Sequence, residues 1–222
     1  MYKKVLVAED LDSISIAVIQ VLEELKVPVI DHVKYCDDGI LKIKKALNDN
    51  EPYDLLITDL SFKSDHRKVN LTCGEDLVEA INAVQPKLKK IVFSIEDKSY
   101  RIKSLFNDLK INAYVSKGRN SINELKKAIE RTFQNEEKIL SSDLSFSFND
   151  KTLIEIESYD ISILKLLAQG LTLENISSEF KASSIAPNGT SSLEKRINKL
   201  KIYFKANNNV HLIAIAKDFG LV

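Results

Sequence analysis

Several short apolar runs in this 222-residue chain end on side chains that can do chemistry. KVLVA at 4–8 runs into Glu9 and Asp10, LLIT at 55–58 into Asp59, KIVFSI at 90–95 carries Ser94, and NAYVSK at 112–117 closes on Ser116 and Lys117. A carboxylate at the mouth of a hydrophobic strand is costly unless something there uses its charge. Carboxylates brought together raise one another's pKa unless a cation neutralises them, and a hard divalent ion with oxygen ligands is the natural choice. Mg2+ suits best because it binds through few carboxylates and keeps its waters. The Lys117 ammonium and the Ser94 hydroxyl suit an incoming phosphoryl group, since each can contact a phosphate oxygen.

For these residues to meet, the runs must be neighbouring strands. From residue 3 to about 134, short apolar runs at 4–8, 27–33, 54–59, 90–95 and 112–117 alternate with stretches whose apolar residues recur at helical spacing, such as Ile40, Ile43 and Leu47, or Ile122, Leu125 and Ile129. Five strands alternating with five helices predict an α/β fold, a doubly wound five-stranded parallel sheet covered on both faces. Ligands in such sheets bind at the carboxyl ends of the strands, where Glu9, Asp10, Asp59, Ser94 and Lys117 all fall.

The pattern changes after Phe133. Residues 134–151, QNEEKILSSDLSFSFNDK, are rich in serine, asparagine and charge and hold no helical period, which predicts a loose connector. From Tyr159 the chain is helical in pattern, with four short segments, Gly170 and Gly220 at expected C-caps, and Thr172 and Asn209 at expected N-caps. The expected division is a first domain over 1–134, a linker over 135–155 and a smaller all-α domain over 156–222.

Basic and acidic residues balance at 32 each, so any nucleic-acid partner must be met by a local patch. No apolar run approaches the length of a membrane span, and MYKKVLVAED is too short for a signal-peptide core, so a cytoplasmic protein without a membrane partner is expected. Cys36 and Cys73 are too few and too far apart in sequence to suggest a disulfide framework or zinc site.

Glu9 with Asp10, Asp59, Ser94, Tyr114 and Lys117, in that order and each at a strand end, resemble the receiver domain of two-component response regulators of the NarL/FixJ subfamily, over roughly residues 1–134. The resemblance implies a flavodoxin-like receiver and a phosphoacceptor protein, not an enzyme with a substrate of its own. Asp59 is then the nucleophile that takes a phosphoryl group from a sensor histidine kinase. Glu9, Asp10, Asp59 and the Ser61 carbonyl would hold Mg2+, Ser94 and Lys117 would contact the phosphoryl oxygens, and Tyr114 would swing inward as a switch. A haloacid-dehalogenase type of hydrolase is disfavoured, because Ser61 stands where that class places a second aspartate. This chain also departs from the receiver pattern. Lys63 replaces the usual proline four residues after the phosphoacceptor, and Gly74 arrives only after SFKSDHRKVNLTC, so the loop after Asp59 is expanded.

The C-terminal segment resembles a LuxR-type helix-turn-helix domain, through ILKLLAQGLTLENISSEF, SSLEKRINKLKIYF and VHLIAIAKDFGLV. In the third helix Leu193, Ile197, Leu200 and Phe204 form one buried stripe, leaving Lys195, Arg196, Lys199 and Lys201 to face promoter DNA. A phosphorylation-dependent homodimer that regulates transcription is implied. Three features favour an alternative, a phosphorylation-controlled module that binds another protein. Acids outnumber bases by one over residues 135–222; Glu194, read with Ser191 as a capping box, sets a negative charge near DNA; and KASSIAPNGTS lengthens the turn before the third helix.

Overall fold

The computed structural model describes residues 1–63, 65–97, 99–136, 138–142, 156–219 and 221–222. The chain divides into two compact units, Met1–Asn149 and Asp150–Val222.

In the first unit β1 (Lys4–Ala8), β2 (Val29–Val33), β3 (Leu55–Thr58), β4 (Lys89–Ser94), β5 (Ala113–Ser116) and β6 (Ile139–Leu140) form one sheet in the order β2-β1-β3-β4-β5-β6, every pairing parallel. Five helices connect the first strands: α1 (Asp12–Glu24), α2 (Cys36–Asn48), α3 (Gly74–Val84), α4 (Ser99–Asn107) and α5 (Ser121–Phe133). Successive strand side chains point to opposite faces, and both faces are buried. Leu6, Leu56, Val92 and Tyr114 pack with Ile40, Ile43, Leu77, Ile81, Ile102 and Leu105 of α2, α3 and α4. On the other face Val5, Val7, Ile57, Ile91, Phe93 and Val115 pack with Val18, Leu22, Leu125 and Ile129 of α1 and α5.

The sixth strand corrects the expected count of five. Ile139 and Leu140 pair with Ala113 and Tyr114, and Ser141 N–H donates to the Tyr114 carbonyl at 3.1 Å. A two-residue strand has no periodicity of its own to read. It is held by the ladder it joins and by burial of Ile139. Ordered structure therefore continues past residue 134 into the stretch expected to be a loose connector, while 143–155, the rest of that stretch, lies outside the described residues. Among the described residues no helix is long and apolar enough to cross a membrane.

The second unit holds α6 (Ser158–Ala168), α7 (Leu173–Ala182), α8 (Thr190–Tyr203) and α9 (Asn209–Asp218). Ile163, Leu164, Ile176, Phe180, Leu193, Ile197, Leu200, Leu212 and Ala216 are buried within it. Gly170, at φ +83°, follows α6 as expected of a C-cap glycine, and Thr172 accepts the Asn175 N–H to cap α7. Two caps differ from expectation. Helix α9 is capped by Asn208, whose side chain accepts the His211 N–H at 2.8 Å, one residue before the expected Asn209. Helix α8 begins at Thr190 with Gly189 as N-cap, so Ser191 lies inside the first turn and forms no capping box with Glu194. The expected cap at Gly220 lies outside the described residues.

Candidate functional site

The parallel ladder carries the reactive residues one step beyond the strand ends. Glu9 N–H donates to Val33 O at 3.0 Å, Asp59 N–H to Ala8 O at 3.1 Å and Lys117 N–H to Ser94 O at 2.8 Å, which fixes all three backbones across the carboxyl edge of the sheet. Helix α3 presses on the same edge. A Cβ built on Gly74 would lie 1.9 Å from the Asp59 carbonyl oxygen, and Gly74 N–H donates to Leu60 O at 2.9 Å. Only a residue without a side chain lets α3 start this close to Asp59.

Asp59, Glu9 and Lys117 form the centre of the site. The Lys117 Nζ lies 2.6 Å from Asp59 Oδ2 and 2.7 Å from Glu9 Oε2, so one ammonium bridges two carboxylates that are 7 % and 2 % exposed. The remaining carboxylate oxygens accept backbone N–H groups, Leu60 to Asp59 Oδ1 at 2.6 Å and Leu11 to Glu9 Oε1 at 3.2 Å. Burial pushes the Glu9 carboxyl above the usual carboxylate range despite the opposing pull of Lys117. Ser94 is buried beside them, and its Oγ has no hydrogen-bond partner among the described residues, an arrangement that leaves a donor over for an incoming acceptor. Tyr114 is fully buried and donates its hydroxyl to the Glu96 carbonyl at 2.6 Å, and burial raises its phenol pKa. The side chain expected to swing inward is already inside.

Two residues of the expected set make contacts with the loop that follows Asp59. Asp10 is half-buried, and its Oδ2 accepts the Lys63 N–H at 2.8 Å. Ser61 is exposed and bridges Cys73 across the base of the long loop. Among the described residues no three His, Cys, Asp or Glu side chains converge as a metal-holding group. The donor chemistry nevertheless fits a hard cation. Two buried carboxylates already share one positive charge, Asp10 follows Glu9 directly in the chain, and all three offer oxygen ligands.

The sequence reading missed the contacts of the long loop. Asp37 and Asp38 in the first turn of α2, together with Arg67, hold it in place. The signal was present as two adjacent acids at a helix start, where the helix dipole favours carboxylates and their free oxygens can accept from a neighbouring segment.

In the second unit the structure separates the four basic residues expected on one free face. Lys195 and Lys199 are exposed and Lys201 is half-buried. Arg196 turns inward, its Nε and Nη2 gripping Asp160 of α6 at 2.5 and 2.6 Å, and Asp160 is fully buried. This corrects the DNA-facing placement of Arg196. It stands three residues after Leu193 and four before Leu200, at the edge of the buried stripe, and the nearest acid captures it. The long turn before α8 is tied down as well, with Ser177 donating to the Asn188 carbonyl at 2.6 Å and Tyr159 to the Pro187 carbonyl. An open cleft lies between this turn and α8, lined in part by Tyr159, Pro187, Ser192, Lys195 and Lys199.

The order of the sheet, the mouth at its carboxyl edge and the separate four-helix unit define the fold found in response regulators that join a receiver to a helix-turn-helix domain. Among the solved structures it resembles are those of RcsB. The RcsB response regulator of Salmonella typhimurium is 20 % identical with a TM-score of 0.69, the match covering 96 % of this chain and 98 % of that one. An RcsB–DNA complex is 18 % identical with a TM-score of 0.64, covering 98 % of both chains. The isolated receiver domain of RcsB from Salmonella enterica serovar Typhimurium, in the presence of the phosphomimetic BeF3−, is 22 % identical with a TM-score of 0.54 over 66 % of this chain and 98 % of that one. No protein-family model matches the chain. No curated protein matches it either.

Proposed function

We propose that this chain is a response regulator that accepts a phosphoryl group on Asp59 from a sensor histidine kinase and regulates transcription as a homodimer on promoter DNA. The observation that carries the reading is the Lys117 ammonium bridging buried Asp59 and Glu9 beside the unpartnered Ser94 hydroxyl. One Asp59 carboxylate oxygen forms the bond to phosphorus as the phosphorus–nitrogen bond of the donor histidine breaks. Lys117 releases Asp59 and, with Ser94, donates to the phosphoryl oxygens, which gives that hydroxyl the partner it lacks. Glu9, Asp10, Asp59 and the Ser61 carbonyl are the residues that would hold Mg2+. When bound, that ion neutralises charge on the transferring group. Tyr114, seated inward with its hydroxyl on the Glu96 carbonyl at 2.6 Å, is in this reading the switch that couples the site to the β4–α4 connection.

The RcsB structures bound to DNA and in the presence of BeF3− support the same assignment by likeness of fold. For the DNA half, Lys195, Lys199 and Lys201 of α8 are the contact residues. DNA affinity of the full chain is expected to fall steeply with salt, and Lys199→Ala to weaken it alike on all sequences, lowering the salt slope by about one. Absence of salt-dependent retention of the full chain on DNA would sink this half. It would favour the second reading, a protein-binding helical unit, for which Ile202 and Val210, 78 % and 77 % exposed, supply apolar contact surface.

A further inference from the structure

The segment after Asp59 leaves the site and returns to it. Its ends are pinched by the Ser61–Cys73 bridge and by Gly74 N–H donating to Leu60 O. Between those ends it is strapped to the first turn of α2 and to Asp10. Asp37 accepts two consecutive backbone N–H groups, from Asn70 at 2.8 Å and Leu71 at 3.0 Å. The Arg67 guanidinium grips Asp38 through two hydrogen bonds, of 2.6 and 2.9 Å, and lies 4.3 Å from the centre of the Tyr35 ring. Tyr35 in turn donates its hydroxyl to Asp65. The last anchor is the Lys63 N–H on Asp10 Oδ2 at 2.8 Å.

Asp10 therefore stands between two claims. As an expected cation ligand it must face Glu9 and Asp59, yet its Oδ2 is held by the strap, and no three carboxylates converge among the described residues. Building on the cation reading of the mouth, we infer that the strap competes with a divalent cation for Asp10. While docked it keeps that carboxylate turned toward Lys63, so the cation's affinity is set partly by Arg67, Asp37 and Asp38, which never touch the ion. They are positioning residues that act through Asp10. Linkage makes the effect reciprocal: the factor by which the docked strap weakens cation binding is the factor by which the cation weakens docking. The anchors suit this balance. The Arg67–Asp38 side chains are 39 % and 35 % exposed, and exposed pairs contribute little singly, so the strap is held by several weak contacts that one ion can shift.

The test uses the full chain with MgCl2 alone and no phosphodonor, reading affinity by titration calorimetry and backbone opening by amide hydrogen exchange. Arg67→Ala is expected to bind Mg2+ about threefold to fivefold more tightly than the parent. Asp38→Asn, which removes the same fork from the other side, is expected to match it. In the parent, Mg2+ should speed exchange at the Lys63, Asn70 and Leu71 amides, and Asp10→Asn should abolish that response. Equal or weaker binding in both strap variants, or slower exchange at those amides with Mg2+, overturns the competition and leaves the cation site standing. No binding to any of the chains overturns the cation site and the competition together.

Discussion

Gly74→Ala is expected to cost the first unit about 3 kcal/mol or more, at the upper end of what overpacking produces. The added methyl carbon would lie 1.9 Å from the Asp59 carbonyl oxygen and 2.9 Å from its carbon, and neither atom belongs to a flexible side chain that could step aside. Either α3 backs away from the sheet edge or the peptide after Asp59 rotates. Both disturb Asp59, the proposed phosphoacceptor, whose Oδ1 is held by the next N–H in the chain. Phosphoryl uptake at Asp59 should therefore fall about tenfold or more even in the molecules that stay folded, because small misplacements of a reacting group are costly. Urea unfolding followed by circular dichroism reads the first effect, and phosphodonor labelling at low urea reads the second. A Gly74→Ala chain as stable as the parent would mean that α3 does not press on Asp59.

The second large effect concerns Arg196. In Arg196→Met the fully buried Asp160 keeps, among the described residues, its bond from the Glu157 N–H and loses both charged ones. Removing one partner of a buried pair strands a charge, and the expected loss is about 3 kcal/mol for the helical unit. Replacing both partners, with Asp160→Leu beside Arg196→Met, should recover most of it, since an apolar pair leaves no stranded charge. DNA affinity tells this apart from a contact role. Lys199→Ala should weaken DNA binding without changing stability. Arg196→Met should weaken it through lost structure, and the double variant should regain it. Full stability in Arg196→Met combined with lost DNA binding would put Arg196 on the DNA face after all.

What was legible in the chain follows from which physics acts locally. Strands buried on both faces read as apolar runs, helices between them as periodic stripes, and both survive without knowledge of their neighbours. That is why β1 to β5 and α1 to α5 were readable, and why the residues just past the strands could be gathered at one edge. Arg196 escaped because a helical face drawn by residue type treats every base as outward, whereas its spacing from Leu193 and Leu200 sets it at the margin of the stripe, within reach of Asp160. Strand β6 escaped because its two residues owe their conformation to β5. The extra length of the loop after Asp59 was visible, but its anchors were not. A chain excursion is pinned by whichever acids lie beside it, and Asp37 and Asp38 are close to it only in the folded sheet.

The measurement that bears most directly on the account is the intact mass of the full chain after incubation with a small-molecule phosphodonor and Mg2+, followed by peptide mapping. One added phosphoryl group on the peptide carrying Asp59, absent from Asp59→Asn and reduced in Lys117→Met, is the predicted result. No mass gain in the parent, or the same gain in Asp59→Asn, would contradict it.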